Sequence, residues 1–506
     1  MNFRDKANAF FYFGTLSLII TISYLFYAPC NYFYYSSDHA IQVLMSKNFI
    51  LPRDYFYWGQ NRLGSLLPML AFLLRKLVHI HYLYVCSIVH YLFLFTGFVF
   101  LSKQIKSPTL KVALCAVIFL PVNDYNALIL IGHPYSAQLF AGSLFVFFLF
   151  VLKKYLLANK ILRLKQMLIS LLLSFGASIF FMIGIWVSEF NAILILIPVI
   201  FILFQKELRN TVIAGFRNGW FILLDVLAVS FFLFLYSLYY NIKKLFRSDT
   251  EYDKFFIDNK EDIIKNFNFF YKKLDTSLFF KDVLVFENSF NWFLIALTIV
   301  IIVHQLLKSK SGKAKSDIWI NCLLVICIIS SVLLLLSSWN LRSEFCPRYY
   351  TPVYIIFCYA LLLSIDQDSY RKWIKVSVTI CFFFFCTAYC YNVIIRKNPS
   401  SPFDMYGEYR NLPKGTLIGD YWDTYKISSI AADNLQSLPF DDQLVRNWDW
   451  REEALSENNF YFLKNERVVP DDLNDTIRQF GILFKYSGVK YICNQTEVLL
   501  YHKESK

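Results

Sequence analysis

Apolar runs of roughly 18 to 22 residues recur along nearly the whole chain, the length a helix needs to cross the hydrocarbon core of a bilayer. Inside lipid every backbone amide and carbonyl needs an internal partner, so such runs fold as helices. Composition agrees: 57% of the 506 residues are hydrophobic and 17% are charged, against about a quarter charged in soluble domains. The pattern predicts spans over about 9–29, 82–101, 109–122, 136–152, 167–186, 190–205, 219–241, 291–308, 317–337, 351–365 and 373–393. Arg4 and Lys6 precede the first run and no small-residue cleavage site follows it, so it is expected to be retained. The expected fold class is a polytopic α-helical membrane protein of about 11–13 spans with a small C-terminal extracytoplasmic α/β domain.

The formal net charge of +13 would suit nucleic acid, but its distribution points elsewhere. Basic residues gather in alternate short loops, as at Lys103, Lys106 and Lys111, or Lys308, Lys310, Lys313 and Lys315, whereas 123–135 and 187–190 have none. This positive-inside asymmetry places the basic loops in the cytoplasm and the others outside. The excess charge sets orientation and calls for no nucleic acid. Counting from both ends puts the first loop and the region after about 394 outside only if 63–80 does not fully span. Arg75 and Lys76 fit a surface-lying or re-entrant helix there; a further span near 122–135 would serve equally. The eleven cysteines lack metal-ligand spacing, and most lie in apolar runs, where cysteine behaves as a small hydrophobe. Cys30, Cys346 and Cys493 are expected outside, which leaves room for one disulfide.

Three parts emerge. Residues 1–393 form the membrane domain, with a first outer loop at 30–64 and a long mixed-charge outer loop at 242–290 expected to carry short amphipathic helices. Residues 394–506 lose the apolar runs and form a small outer domain. In it, Gly415 to Gly419 predicts a strand, Asp423–Asn434 and Asp471–Phe484 predict helices, and Val489–Cys493 with Glu497–His502 predicts a strand pair. The Asn-x-Thr sequons at Asn474 and Asn494 carry little weight.

Candidate chemistry concentrates on the outer side. Asp38, just past the first span, could act as a general base toward an acceptor hydroxyl or amine. It could equally cap the helical pattern that runs to Lys47. His39 could assist as a second base or metal ligand, or be a surface residue. Gln60, Asn61 and Arg62, followed by Gly64, offer donors and a close backbone approach, and arginine suits bidentate phosphate recognition. Glu189 sits at a turn between two apolar runs, where a carboxylate usually faces a cavity or a polar network. Arg342 and Arg348, on either side of Glu344, break the positive-inside rule in a short outward loop. They suggest an anionic ligand such as a lipid phosphate, or else an internal ion pair with Glu344 or Glu189. His133 is a weaker candidate on the same face. No phosphate-binding glycine loop, dinucleotide fingerprint or Gly-x-Ser-x-Gly occurs.

These residues resemble the GT-C glycosyltransferases, and most closely the protein-mannosyltransferase and aminoarabinose-transferase branch. The resemblance rests on Asp38 and on the Leu51-Pro52 turn with Tyr57-Trp58-Gly59-Gln60-Asn61-Arg62. It extends to Trp186 with Glu189, Arg348-Tyr349 ahead of Pro352, and Ile418-Gly419-Asp420-Tyr421-Trp422. It implies a polyprenyl-phosphate-linked sugar donor, an extracytoplasmic acceptor (a surface glycan, lipid or protein), and activation of that acceptor by Asp38. It also implies donor phosphate held by Arg62 and Arg348, with His39, Gln60, Asn61, Glu189, Arg342 and Tyr349 as further substrate-binding positions. Many members carry a second acid beside the first where this chain has His39, so the need for a divalent metal is left open. Two other readings stand beside this one: a non-catalytic transporter or flippase of lipid-linked sugars, and a glycan polymerase or ligase. A bacterial inner membrane, with the site on the periplasmic side, is the expected location.

Overall fold

The computed structural model describes residues 3–32, 34–60, 62–158, 164–205, 210, 219–245, 256–278, 285–310, 318–367, 370–397, 400–464 and 475–504. Among them, eight helices are long and apolar enough to cross a membrane: Phe10–Tyr27, Tyr82–Ser102, Tyr135–Leu156, Lys165–Val187, Val226–Leu245, Ile318–Leu335, Pro347–Asp366 and Lys372–Tyr391. Three apolar helices are shorter, at Leu66–Arg75, Pro108–Phe119 and Glu189–Ile200, and Ser289–His304 is the apolar stretch of the 26-residue helix Val285–Lys310. The chain is therefore a polytopic α-helical membrane protein. The runs expected as full spans over 109–122 and 190–205 fall on these shorter helices.

The two parity alternatives separate cleanly. Leu66–Arg75 has ten residues, about 15 Å at 1.5 Å each, half of a bilayer core. The segment near 122–135 does not span either, because Asn123–Ile129 is a 3₁₀ turn. Of the long loop at 242–290, residues 246–255 and 279–284 lie outside the described residues. Lys260–Leu278 within it is a single amphipathic helix.

The contacts divide the chain into two compact units, residues 1–23, 92–129 and 135–396, and residues 24–91, 130–134 and 397–506. In the first, small residues let helices approach, as is usual between membrane helices. A Cβ at Gly176 would lie 2.6 Å from the Phe148 ring, and one at Gly97 would lie 2.6 Å from Leu139. The buried Asp366 carboxylate accepts the Lys106 and Ser107 amides at 2.5 and 3.0 Å and pairs with Lys375 at 3.3 Å. Those amides lie just ahead of the Pro108–Phe119 helix, where free N–H groups favour an anion.

The second unit is built on a six-stranded mixed sheet of order β2-β1-β3-β6-β5-β4. The strands are β1 (Gly415–Gly419), β2 (Leu435–Pro439), β3 (Asn459–Lys464), β4 (Thr476–Gln479), β5 (Ile482–Cys493) and β6 (Thr496–Lys503). β1 runs parallel to both β2 and β3, and the remaining pairs are antiparallel. Both β1 and β2 are buried throughout, and the Tyr421–Ile430 helix joins them. The β5–β6 pairing matches the expected strand pair, and the helix falls within two residues of its expected start.

The helix expected over Asp471–Phe484 is overturned. Residues 471–474 lie outside the described residues, and the rest is β4, a tight turn and the start of β5. Phe480 and Gly481 adopt φ of +54° and +76°, the left-handed pair that closes two-residue hairpins. Pairing with β6 buries Phe484, which a helix here would leave without a partner strand.

Candidate functional site

The Ser37–Lys47 helix positions Asp38, and its sequence explains how. Ser36 takes the N-cap position with extended backbone angles, so Asp38 lies inside the first turn and is free of capping. A carboxylate there is favoured by the positive end of the helix dipole. The Tyr57 hydroxyl donates to Asp38 Oδ1 at 3.1 Å. Burial pushes the Tyr57 phenol well above its ordinary range, and the charge of Asp38 raises it further, so it stays protonated and donating. The Leu130–Pro134 segment presses on the same turn: a Cβ at Gly132 would lie 2.9 Å from Asp38 Cβ and 3.0 Å from the His39 amide. Only glycine passes there without moving the helix. His133 follows it directly.

His39 has a different task from the expected one. Its ring is fully buried, between Tyr34 and Tyr35, and Nδ1 accepts the Ser36 amide at 3.2 Å while Ser36 Oγ lies at 2.6 Å. It braces the helix start. Burial lowers its pKa from 6.5 to about 3, so it is neutral when folded and takes a proton on unfolding. The stability this gives is complete above pH 6.5. It is lost by about 1.4 kcal/mol per pH unit as pH falls from 6.5 toward 3. Thermal unfolding of the purified protein should therefore show the gap between wild type and His39→Gln narrowing by roughly 2–3 kcal/mol from pH 6.5 to 4.5. Parallel curves would refute a neutral buried imidazole.

The loop at 30–64 folds back on itself. Phe56 bridges Gly64, the Tyr57 amide donates to Leu63 O at 2.8 Å, and Gly59 turns the chain at φ +73°. The structure brings Gln60 and Arg62 together, with Arg62 Nε donating to Gln60 Oε1 at 3.3 Å. Asn61 lies outside the described residues. Beneath the turn, Asp54 is completely buried and accepts from Ile50 N, Arg53 Nε, Arg53 Nη2 and Trp58 Nε1 at 2.8–3.0 Å.

The loop packs on the Tyr421–Ile430 helix and its neighbours. Tyr35 Oη lies 2.7 Å from Ser429 Oγ, His81 Nε2 lies 3.0 Å from Ile430 O, and Trp58 meets Trp450 at 5.3 Å. One consequence was not foreseen in the sequence. Arg446, from the segment before the Trp448–Leu455 helix, reaches the Asp38 neighbourhood. Its Nε donates to Tyr421 Oη at 3.0 Å, its amide donates to Tyr425 Oη at 3.2 Å, and it interacts electrostatically with Asp38 and Tyr57. A Cβ at residue 59 would come within 2.9 Å of Arg446 Cδ, so Gly59 serves this crossing as well as the turn.

Glu189, Arg342, Arg348 and Tyr349 belong to the other unit. Glu189 accepts from Tyr239 Oη at 2.8 Å and pairs with Lys243, a local network and not a partner for Arg348. Arg342 is exposed. Arg348 lies in the Pro347–Tyr350 turn with its guanidinium 5.3 Å from the Tyr349 ring. Among the described residues no carboxylate pairs with it. Tyr135 interacts with its charge and also lines an apolar groove of about 740 Å³, open part included. Gln138, Phe190, Leu194, Pro352 and Ile355 line the rest. Among the described residues no three His, Cys, Asp or Glu side chains gather as a metal site.

The chain combines a many-helix membrane part with a mixed-sheet domain. It is similar to the crystal structure of ArnT from Cupriavidus metallidurans bound to undecaprenyl phosphate, with TM-score 0.52 and 8% identity over 96% of this chain and 97% of that one. The apo structure of the same ArnT gives TM-score 0.45 and 9% identity over 98% of each chain. The Archaeoglobus fulgidus oligosaccharyltransferase tethered to an acceptor peptide with the NVT sequon gives 0.44 and 11% over 89% of this chain and 69% of that one. No protein-family model matches the chain, and no curated protein does.

Proposed function

We propose that the protein is a membrane glycosyltransferase that moves a sugar from a polyprenyl-phosphate donor to an acceptor on the outer face of a bacterial inner membrane. The observation that carries this reading is Asp38. It is a half-buried carboxylate in the first turn of a helix, hydrogen-bonded by a tyrosine that stays protonated and not consumed by capping. Asp38 takes the proton of the acceptor hydroxyl while the oxygen bonds to the anomeric carbon. The sugar–phosphate C–O bond breaks, its electron pair leaves on the polyprenyl phosphate, and Asp38 then releases the proton to water. In the other unit, no carboxylate among the described residues pairs with Arg348, and its charge interacts with Tyr135, which lines an apolar groove. That pairing suits a phosphate with an isoprenoid tail, and the similar ArnT structure holds undecaprenyl phosphate.

The test is label release from a panel of radiolabelled polyprenyl-phosphate sugars by the purified protein in detergent. Wild type should consume at least one donor. Arg348→Gln should raise the donor KM about ten- to hundredfold, the usual cost of losing a charge-assisted hydrogen bond. Tight donor binding with no release from any sugar would replace the transferase with a carrier of lipid-linked sugars.

A further inference from the structure

We propose that Arg446 is an anion-binding residue of the acceptor site, and that the acceptor is a sugar bearing a phosphate or carboxylate close to the hydroxyl that reacts. The inference rests on the glycosyltransferase reading and extends it to the substrate class.

Arg446 is held on three sides. Tyr425 receives its amide, Tyr421 receives its Nε, and its stem lies across Gly59. Its guanidinium stands 5.3 Å from the Tyr421 ring. A long cationic side chain fixed in this way has lost its freedom before any ligand arrives, which is the arrangement that favours tight recognition. Yet the hydrogen-bonding edge is open. Among the described residues neither Nη1 nor Nη2 donates to any protein acceptor, and no carboxylate makes an ion pair with it. Asp38 is near enough to interact with its charge but receives no hydrogen bond from it. Arginine keeps its charge at any working pH and offers parallel N–H groups matched to phosphate and carboxylate oxygens.

The position fits the acceptor better than the donor. Asp38 deprotonates the acceptor, so the groups around Asp38 meet the acceptor first. Trp422, edge-on to Tyr421 at 5.0 Å, leaves 51% of its surface open, a face on which a sugar ring can stack. The charges also work in sequence. At rest Asp38 partly balances Arg446. Once the acceptor proton moves to Asp38 that carboxylate is neutral, and the whole field of Arg446 falls on the acceptor's anion. The contact is then stronger in the transition state than in the ground state, which is the condition for lowering the barrier.

The experiment compares glucose 6-phosphate, glucose and inorganic phosphate as probes of the purified full chain in detergent, read by ligand-observed NMR and as inhibitors of label release. Wild type should hold glucose 6-phosphate at least about tenfold more tightly than glucose. It should also hold it more tightly than phosphate alone. Arg446→Ala should lose the preference for the phosphorylated sugar, Arg446→Lys should keep part of it, and added guanidinium should restore it to the alanine variant. Equal affinity of wild type for glucose and glucose 6-phosphate would overturn the proposal, as would a preference that survives in Arg446→Ala. Phosphate binding as tightly as the sugar phosphate would remove the sugar from it. A raised donor KM in Arg446→Ala with the probe preference intact would reassign the residue to the donor. The binding arm needs no turnover, so it decides Arg446 even if wild type consumes no donor and the transferase reading fails.

Discussion

Asp38→Asn should lower sugar transfer by about 10² to 10⁴, the range a positioned general base contributes, while the protein still folds. Asparagine has nearly the same shape, and its carbonyl can still accept the Tyr57 hydroxyl that Asp38 accepts at 3.1 Å. What it cannot do is take a proton from the acceptor. The cap of the helix is Ser36, so the substitution does not disturb the helix start. The expected pattern is therefore unchanged expression, an unfolding temperature lowered only by the loss of the dipole interaction, at most about 1 kcal/mol, unchanged donor binding and a collapse of turnover. Ordinary turnover in Asp38→Asn would end the assignment of Asp38 as the base and leave it a structural acceptor for Tyr57.

Asp54→Ala should have the largest effect on the fold, about 3–5 kcal/mol. The side chain is fully buried and gathers four donors from Ile50, Arg53 and Trp58. Alanine leaves the Arg53 charge, itself only 18% exposed, facing a void, together with an unpaired indole N–H. For a unit of this size that corresponds to a fall in unfolding temperature on the order of 10 °C. The damage should reach the site, because Tyr57 and Trp58 sit on the loop that Asp54 closes. Asp54→Asn, which keeps the shape and half the acceptors, should fall between. Melting curves in detergent for the three proteins give the order directly, and an Asp54→Ala protein as stable as wild type would mean that the loop is held from elsewhere.

Some of the site was legible because it is local. The first loop announces itself as a polar insertion between apolar segments, and a short-range pattern places Asp38 at the start of a helix. The strand before Asp420 and the helix after it were also visible from local pattern, whereas β2 at Leu435–Pro439 was not. The misses come from contacts distant in sequence. His39 looks like an outward partner of Asp38, but helix geometry turns it inward, where tyrosines cover it. One alternative paired the outward arginines with Glu189, but Lys243 has claimed that glutamate. The helix expected over Asp471–Phe484 gave way because pairing with β6 outweighs a weak local preference.

The sequence alone determined the membrane class and the many-helix architecture, because lipid leaves a long apolar segment almost no other way to satisfy its backbone. It also marked the loop that carries the acid. Only the tertiary structure decided what surrounds that acid. Arg446 lies about four hundred residues downstream of Asp38, in a stretch whose local pattern shows only a turn before a short helix. It reaches the site because the sheet, the Tyr421–Ile430 helix and the left-handed turn at Gly59 fold together. That depends on packing among distant segments, which no local pattern records.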